Sequence, residues 1–190
     1  MKKIYLIHGW SGSPNEPMLK WLKKELEKKD FEVTIPEMPD TDEPKIIPWV
    51  NKIKSLVKNP NESVCLIGHS IGCQAVLRYL EILDKDVKIG KIILIAPWME
   101  LDEETIKEEG EESIRISKQW VETPINWEKI KNHCKDFRCV FSDNDPFVPL
   151  SNKKLFEKKL NAKTYVEHDK GHFDPDSGIK EVPYILRLIE

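Results

Sequence analysis

Short apolar runs alternate along this chain with longer segments in which apolar residues recur every three or four positions. The short runs have the length and composition of buried strands, and the longer segments have the period of amphipathic helices. Because the strand runs are apolar throughout, both faces of the sheet that they form must be covered. The alternation therefore predicts an α/β fold in which a parallel sheet lies between two layers of helices.

The pattern predicts a minimal sheet of six strands, at residues 4–7, 31–35, 64–67, 92–95, 137–141 and 163–166. Helices are predicted over residues 18–26, 46–57, 71–83, 152–160 and 180–189. The first helix has two possible starts. Ser13 and Glu16 have the spacing of a capping box with Pro14 at the first helical position, whereas Asn15 could instead cap a helix that opens at Pro17.

Residues 97–136 interrupt this alternation. The segment contains an acidic run at residues 103–112 and a short helix pattern near residues 127–133. It is either a solvent-exposed excursion with one helix or a small lid over the strand ends, because long insertions in compact domains often carry function. A length of 190 residues fits one domain, so we expect a single domain over 1–190 that contains this segment.

Charge and composition exclude several classes of protein. Acidic residues number 33 and basic residues 30, for a net charge of -3 without a strongly basic half, which argues against a nucleic-acid partner. No apolar run approaches the roughly 20 residues of a membrane span. The first apolar run is also shorter than the core of a signal peptide. The four cysteines have no zinc-like spacing and suit a reducing compartment. We expect a cytoplasmic protein without membrane contact, and the sequence carries no signal for an oligomeric state.

The strongest functional motif is Gly68-His69-Ser70-Ile71-Gly72, which follows a predicted strand and precedes a predicted helix. This is the G-x-S-x-G pattern in its strand–turn–helix context, where a sharp turn projects the serine hydroxyl from the sheet. The residues at the two flanking positions must be small, because these positions lie against neighbouring backbone, and both are glycines. The helix start beyond the serine directs N–H groups at developing negative charge. The alternative is a glycine-rich turn that only binds an anion.

A nucleophilic serine needs a base to take its proton and a carboxylate to orient that base. In this fold the chain order is serine, acid, histidine. Ser70, Asp145 and His172 have that order, and each follows a predicted strand. Asp143 and His168 are the competing acid and base. The proline after Asp145 fixes that residue in extended backbone, which favours it, whereas Asp143 is then a turn or capping residue.

His168 and His172 are also spaced like a zinc pair on a helix. Gly171 and Pro175 disfavour a helix there, and no third ligand is evident, so we expect no metal. The serine chemistry requires no cofactor, and we expect none.

The turn after the first predicted strand should face the serine. Acyl transfer needs two backbone N–H donors at the oxyanion, and we expect these to belong to Trp10 and Ile71. Trp98 and Trp120 are candidates for the lining of an apolar acyl pocket, with ordinary packing as the alternative. Of the remaining residues near these motifs, we expect His69 and Cys73 to be buried packing residues and His133 to lie on the surface.

The chain resembles the small α/β-hydrolase family of YdeN-like and RBBP9-like serine hydrolases. The resemblance is carried by residues 4–10, 68–72, 142–149 and 171–173. The likeness extends over essentially the whole chain. It implies an α/β-hydrolase fold with the strand order 2-1-3-4-5-6. It also implies that Ser70 is the nucleophile, Asp145 the triad acid and His172 the base. Members of the family resemble carboxylesterases that act on short acyl chains.

The leading hypothesis is therefore a serine hydrolase, specifically a carboxylesterase whose partner is a small-molecule ester. A second hypothesis is a hydrolase-fold protein that serves as an interaction module and has a vestigial site. A third is a thioesterase or acyltransferase that uses the same triad, because the acylation half-reaction is shared.

Overall fold

A single parallel sheet organises the protein, whose computed structural model describes residues 2–189. The six strands are β1 (Lys3–Ile7), β2 (Glu32–Thr34), β3 (Val64–His69), β4 (Lys91–Ile95), β5 (Phe137–Ser142) and β6 (Lys163–Glu167). They lie in the order β2-β1-β3-β4-β5-β6, and every neighbouring pair is parallel. The predicted fold class and strand order are confirmed, and each strand contains most of the apolar run that predicted it.

The described helices are α1 (Pro17–Glu27), α2 (Ile46–Leu56), α3 (Ile71–Glu81), α4 (Glu103–Glu108), α5 (Glu111–Glu122), α6 (Trp127–His133), α7 (Ser151–Leu160) and α8 (Pro183–Ile189). Helix α1 packs against α8, whereas α2, α3, α6 and α7 pack side by side as a second group. These two groups provide the helical cover that the apolar strands require. None of the helices in the described range has both the length and the apolar character needed to cross a bilayer.

Helix α1 begins later than a capping box at Ser13 predicts. Its N-cap is Glu16 and its first residue is Pro17, so neither Ser13 nor Asn15 caps it. The capping-box contact nevertheless forms, because the Glu16 carboxylate accepts a 3.0 Å hydrogen bond from the Ser13 N–H. That contact closes a tight turn, in which the Glu16 N–H also donates to the Ser13 carbonyl. The contact therefore fixes the turn before the helix rather than its first turn.

Burial differs greatly between the centre and the edge of the sheet. Every residue of β3 is buried, and so are the first ten residues of α3. Strand β6 at the edge has no fully buried residue, and Val166 exposes 43% of its surface. The strand and helix that join at Ser70 therefore form the most enclosed part of the molecule.

The expectation of one helix within residues 97–136 is wrong, because α4, α5 and α6 all lie there. Side-chain caps start two of them. Asp102 accepts a 2.9 Å hydrogen bond from the Thr105 N–H at α4, and Asn126 accepts a 3.0 Å hydrogen bond from the Lys129 N–H at α6. Asp and Asn are favoured at this position because their oxygens satisfy the free N–H groups of the first turn.

Buried polar side chains fasten the segment to the core. The Arg78 guanidinium of α3 donates to the carbonyls of Trp120 at 2.9 Å and Thr123 at 2.7 Å, at the end of α5. His133 was expected on the surface, which is wrong. It is fully buried, and its Nδ1 donates to the Val87 carbonyl at 2.8 Å. These bonds satisfy carbonyls that would otherwise be unpaired under the segment.

Candidate active site

Ser70 occupies a strained turn between β3 and α3. Its φ of 53° and ψ of -123° lie outside the regions that residues with a side chain normally adopt. Two backbone hydrogen bonds hold the turn. The Ser70 N–H donates to the Ile95 carbonyl of β4 at 2.9 Å, and the Ser70 carbonyl accepts from the Cys73 N–H at 2.9 Å. Such strain persists only where its surroundings enforce it, and it is concentrated at functional sites.

The two flanking glycines are required by close backbone contacts. A Cβ at Gly68 would lie 2.6 Å from the backbone nitrogen of Cys73. A Cβ at Gly72 would lie 2.5 Å from the carbonyl oxygen of His8, just beyond β1. Both distances are shorter than any ordinary carbon contact, so neither position accepts a side chain without movement of the backbone. The tight fit brings the end of β1 directly against the first turn of α3.

Ser70, His172 and Asp145 form a continuous series of hydrogen bonds. The Ser70 Oγ lies 2.8 Å from His172 Nε2, and His172 Nδ1 lies 2.8 Å from Asp145 Oδ2. The Asp145 side chain is only 1% exposed. Its Oδ1 also accepts the backbone N–H groups of Phe147 at 2.9 Å and Val148 at 3.1 Å. The carboxylate is thus fixed in one orientation, and the imidazole can accept the serine proton at Nε2 while Nδ1 stays protonated.

Asp143 and His168, the competing acid and base, contact each other rather than Ser70. His168 Nδ1 contacts Asp143 Oδ2 at 2.5 Å, and 81% of the His168 side chain is exposed. This hydrogen bond lowers the pKa of Asp143 and raises the pKa of His168. With Asp169 the two form the one cluster in residues 2–189 whose spacing suits a cation, and all three members are exposed. Exposed clusters of acidic residues are common in proteins without a bound ion.

His69 has a more specific position than the expected packing role. Its Nε2 donates a 2.8 Å hydrogen bond to the backbone carbonyl of His172. Burial lowers the pKa of His69 to about 4, so that the ring is neutral at pH 7. The serine turn therefore fastens the loop that carries the candidate base. The sequence signal for this contact was the position of His69, directly before the serine.

Two polar residues that sequence reasoning missed connect the loops after β5 and β6. Asn144 Oδ1 accepts hydrogen bonds from the Ser142 hydroxyl at 2.7 Å and from the Gly171 N–H at 2.8 Å. The Ser142 Oγ in turn accepts the Lys170 N–H at 2.9 Å. Because Asp145 follows one strand and His172 the other, these bonds set the separation of the candidate acid and base.

The two expected oxyanion donors, in the turn after β1 and at the first residue of α3, have free N–H groups. Within residues 2–189, the backbone N–H of neither Trp10 nor Ile71 has a protein acceptor. The turn after β1 is anchored by the Trp10 indole, which donates to the Asp42 carbonyl at 3.0 Å. A second indole approaches the serine itself, because Trp98 Nε1 lies 3.4 Å from the Ser70 Oγ. The hydroxyl is therefore held by an acceptor on His172 and a donor on Trp98.

A cavity of about 680 Å³ opens over Ser70 and His172. Apolar side chains from two regions line part of its wall, namely Trp98, Leu101, Ile106, Ile116 and Phe147. Most of these belong to the 97–136 segment, which therefore covers part of the cavity. This volume is typical of sites for small molecules, which are largely apolar with a few polar groups.

Trp120 does not line this cavity, contrary to its expected pocket role. Its ring is fully buried and packs edge-on against Trp49, with centroids 6.1 Å apart. Its indole N–H donates to the Pro44 carbonyl at 2.9 Å. An indole whose ring is packed and whose N–H is hydrogen-bonded inside the core is a packing residue. Trp98, by contrast, is part of the cavity wall.

Comparison with known proteins places this geometry in context. The model of a family described as serine hydrolase matches residues 4–190. The hydrolase YdeN of Bacillus subtilis is 27% identical over 188 residues, covering 99% of this chain and 94% of that protein. The structure of the ydeN gene product is similar with a TM-score of 0.87, covering 100% of this chain and 97% of that one.

Two further proteins are similar over most of the chain. The serine hydrolase RBBP9 of Rattus norvegicus is 29% identical over 167 residues, covering 87% of this chain and 78% of that protein. A carboxylesterase structure from Nitrososphaera gargenis is 14% identical and shares the fold, with a TM-score of 0.68 over 90% of this chain and 83% of that one. The resemblance and the α/β-hydrolase fold predicted from the sequence are both confirmed.

Proposed function

The chain belongs to the serine hydrolase family, and we propose that it is a carboxylesterase that hydrolyses short-chain acyl esters through Ser70, His172 and Asp145. The observation that carries this proposal is the series of 2.8 Å contacts from the serine hydroxyl through the imidazole to a buried carboxylate. Strained backbone at the serine and a cavity above it are further support, since a packing serine requires neither.

The proposed reaction begins when the Ser70 Oγ attacks the ester carbonyl carbon while His172 Nε2 accepts the hydroxyl proton. Asp145 stabilises the imidazolium by accepting the Nδ1 proton in a hydrogen bond. The C–O bond to the alcohol then breaks, and His172 returns the proton to the leaving oxygen. Water attacks the acyl-enzyme in the same manner, which releases the carboxylic acid and restores the serine.

The Trp10 and Ile71 N–H groups are the proposed oxyanion donors. Both belong to rigid turns, and α3 adds the partial positive charge of a helix N-terminus. Preorganised donors of this kind stabilise the tetrahedral intermediate, and loss of one typically costs about 100- to 1000-fold in turnover. Their free N–H groups are the supporting observation, since a donor already bonded to a protein acceptor could not stabilise the oxyanion.

The apolar wall supports an acyl portion of modest size. Trp98 and Phe147 lie beside the triad, and Ile106 and Ile116 extend the same cavity. We propose that residues 1–190 form one domain in which α4 and α5 cover the site. Four buried free cysteines also fit a reducing compartment such as the cytoplasm.

The test combines covalent labelling with turnover. The wild-type protein should react with a fluorophosphonate probe and hydrolyse p-nitrophenyl acetate and butyrate, and Ser70→Ala should lose both activities while keeping its melting temperature. Labelling that persists in Ser70→Ala would refute the assignment of the nucleophile. A wild-type protein that is inert to both reagents would instead favour the vestigial interaction module. Faster turnover of the matching thioesters, or acyl transfer to added alcohol, would identify a thioesterase or an acyltransferase.

A further inference from the structure

Apart from two histidines, the ionisable residues that line the catalytic cavity within the described chain are all carboxylates. Six of them reach it, from Glu16, Asp42, Glu109, Glu112, Asp174 and Asp176. No lysine or arginine among residues 2–189 lines the same cavity. In the part of the chain that the structure describes, Glu112 is the one carboxylate of the six with an arginine or lysine partner, since Arg115 contacts it at 2.5 Å and also pairs with Glu43. The cavity therefore presents a strong excess of negative charge to whatever enters it.

Glu16 is the most unusual of these groups, because only 8% of its surface is exposed. Its Oε1 accepts the Ser13 N–H at 3.0 Å, and within the described chain no lysine or arginine lines the cavity to pair with it. Burial and the neighbouring Asp174 raise the pKa of Glu16. Buried carboxylates are normally paired, since an unpaired one is costly. A wall of a ligand cavity is a place where the missing partner can come from the ligand.

The position of this carboxylate indicates which part of the substrate it faces. Glu16 and Asp174 line the cavity together with His172. In the proposed reaction His172 delivers its proton to the leaving oxygen, so the alcohol portion of the ester lies on the His172 side. The apolar side chains of Ile106 and Ile116 are left for the acyl portion.

We propose that the preferred substrates are esters whose alcohol portion carries an ammonium group. This inference rests on the proposed function and adds a substrate class to it. The ammonium group is the positively charged partner that the carboxylates of Glu16, Asp174 and Asp176 lack. Trp10 and Phe147 line the same cavity and offer aromatic faces, which attract ammonium groups through their electron-rich surfaces.

A pair of esters that differ only in charge tests this inference. Choline butyrate and 3,3-dimethylbutyl butyrate have the same shape, because a tert-butyl group replaces the trimethylammonium group. We expect kcat/KM for the choline ester to be at least about tenfold higher, since several carboxylates act on one charge. The ratio should fall when ionic strength rises from about 0.01 M to about 1 M, because the Debye length shrinks from roughly 30 Å to 3 Å.

Three variants assign the effect to the cavity. Glu16→Gln and Asp174→Asn retain an oxygen that can accept the hydrogen bonds from Ser13 and Ser177, so their folds should survive. Each should lower the ratio of the two kcat/KM values by roughly fivefold, and the exposed Asp176→Asn by about twofold. Glu128→Gln is the matched control, because it removes the same charge on the exposed face of α6 and outside the cavity.

The outcomes separate the inference from the function on which it rests. A ratio near one, with ready hydrolysis of the neutral ester, would overturn the substrate class and leave the esterase intact. A preference for the choline ester that survives in all three cavity variants would overturn it as well. Failure to hydrolyse either ester, together with loss of fluorophosphonate labelling, would contradict the proposed function itself.

Discussion

The close contact between Gly72 and the end of β1 makes Gly72→Ala a demanding test of how the serine turn is built. The new Cβ would lie 2.5 Å from the carbonyl oxygen of His8 and 2.6 Å from that of Ile7. Both oxygens belong to backbone that cannot rotate away. Because ordinary contacts begin near 3.4 Å, α3 and the β1 turn must separate by roughly 0.9 Å.

This separation should reduce both stability and turnover. Overpacking of a rigid core typically costs about 1–3 kcal/mol, which corresponds to a fall in Tm of roughly 2–12 °C for a domain of this size. The better helix propensity of alanine offsets at most about 1 kcal/mol. The β1 turn also carries the Trp10 N–H, a proposed oxyanion donor. A displacement of about 1 Å there should lower kcat/KM on the order of 100-fold.

Gly90→Ala is the control for stability without catalysis. A Cβ at Gly90 would strike the carbonyl oxygen of Glu62, which is also a backbone atom. Gly90 precedes β4 and so lies at the opposite end of the sheet from Ser70. Thermal unfolding and p-nitrophenyl butyrate hydrolysis, assayed well below both Tm values, should show lower Tm in both variants but lower kcat/KM only in Gly72→Ala. Wild-type Tm and kcat/KM in Gly72→Ala would refute the packing argument.

Three further predictions follow from individual side chains. Asp145→Asn should lower kcat about 10⁴-fold, because it destabilises the required imidazole tautomer, while circular dichroism stays unchanged; a loss under tenfold would contradict its role. Burial lowers the pKa of His69 to about 4. As the pH falls, the His69 ring therefore takes up a proton in the unfolded chain before it does so in the folded protein. Stability should therefore fall by up to about 3 kcal/mol between pH 6.5 and pH 4, and denaturant unfolding should find less of this loss in His69→Gln. Trp120→Phe should cost about 1–2 kcal/mol by leaving the Pro44 carbonyl unpaired, with kcat/KM unchanged; a changed kcat/KM would restore its pocket role.

The features that could be predicted from sequence are those specified by local patterns. Each strand of the sheet follows from a short apolar run, and the serine turn follows from the spacing of Gly68, Ser70 and Gly72 around a strand end. The choice between Asp143 and Asp145 also had a local basis, since the proline after Asp145 fixes its backbone direction. Such signals need only a few neighbouring residues to be read.

The features that sequence reasoning missed depend on contacts between distant residues. Trp120 and Trp49 meet across 71 positions of the chain, and no local pattern distinguishes a tryptophan that packs there from one that lines a cavity. His133 likewise finds its hydrogen-bond partner, the Val87 carbonyl, 46 positions away in the chain. The helices α4 and α5 were missed because the acidic residues 103–112 are typical of a solvent-exposed segment, although α5 buries Ile116, Ser117 and Trp120 on one face.

The contrast between the enclosed strand β3 and the exposed edge strand β6 has a consequence for how activity is lost. Elements with little buried surface open locally at a lower free energy than the global unfolding of the core. Ser70 follows β3, whereas His172 follows β6, so fraying of the edge withdraws the proposed base while the proposed nucleophile stays in place. Mild heat or low denaturant should thus inactivate the enzyme before the sheet melts, and dilution should restore activity at once.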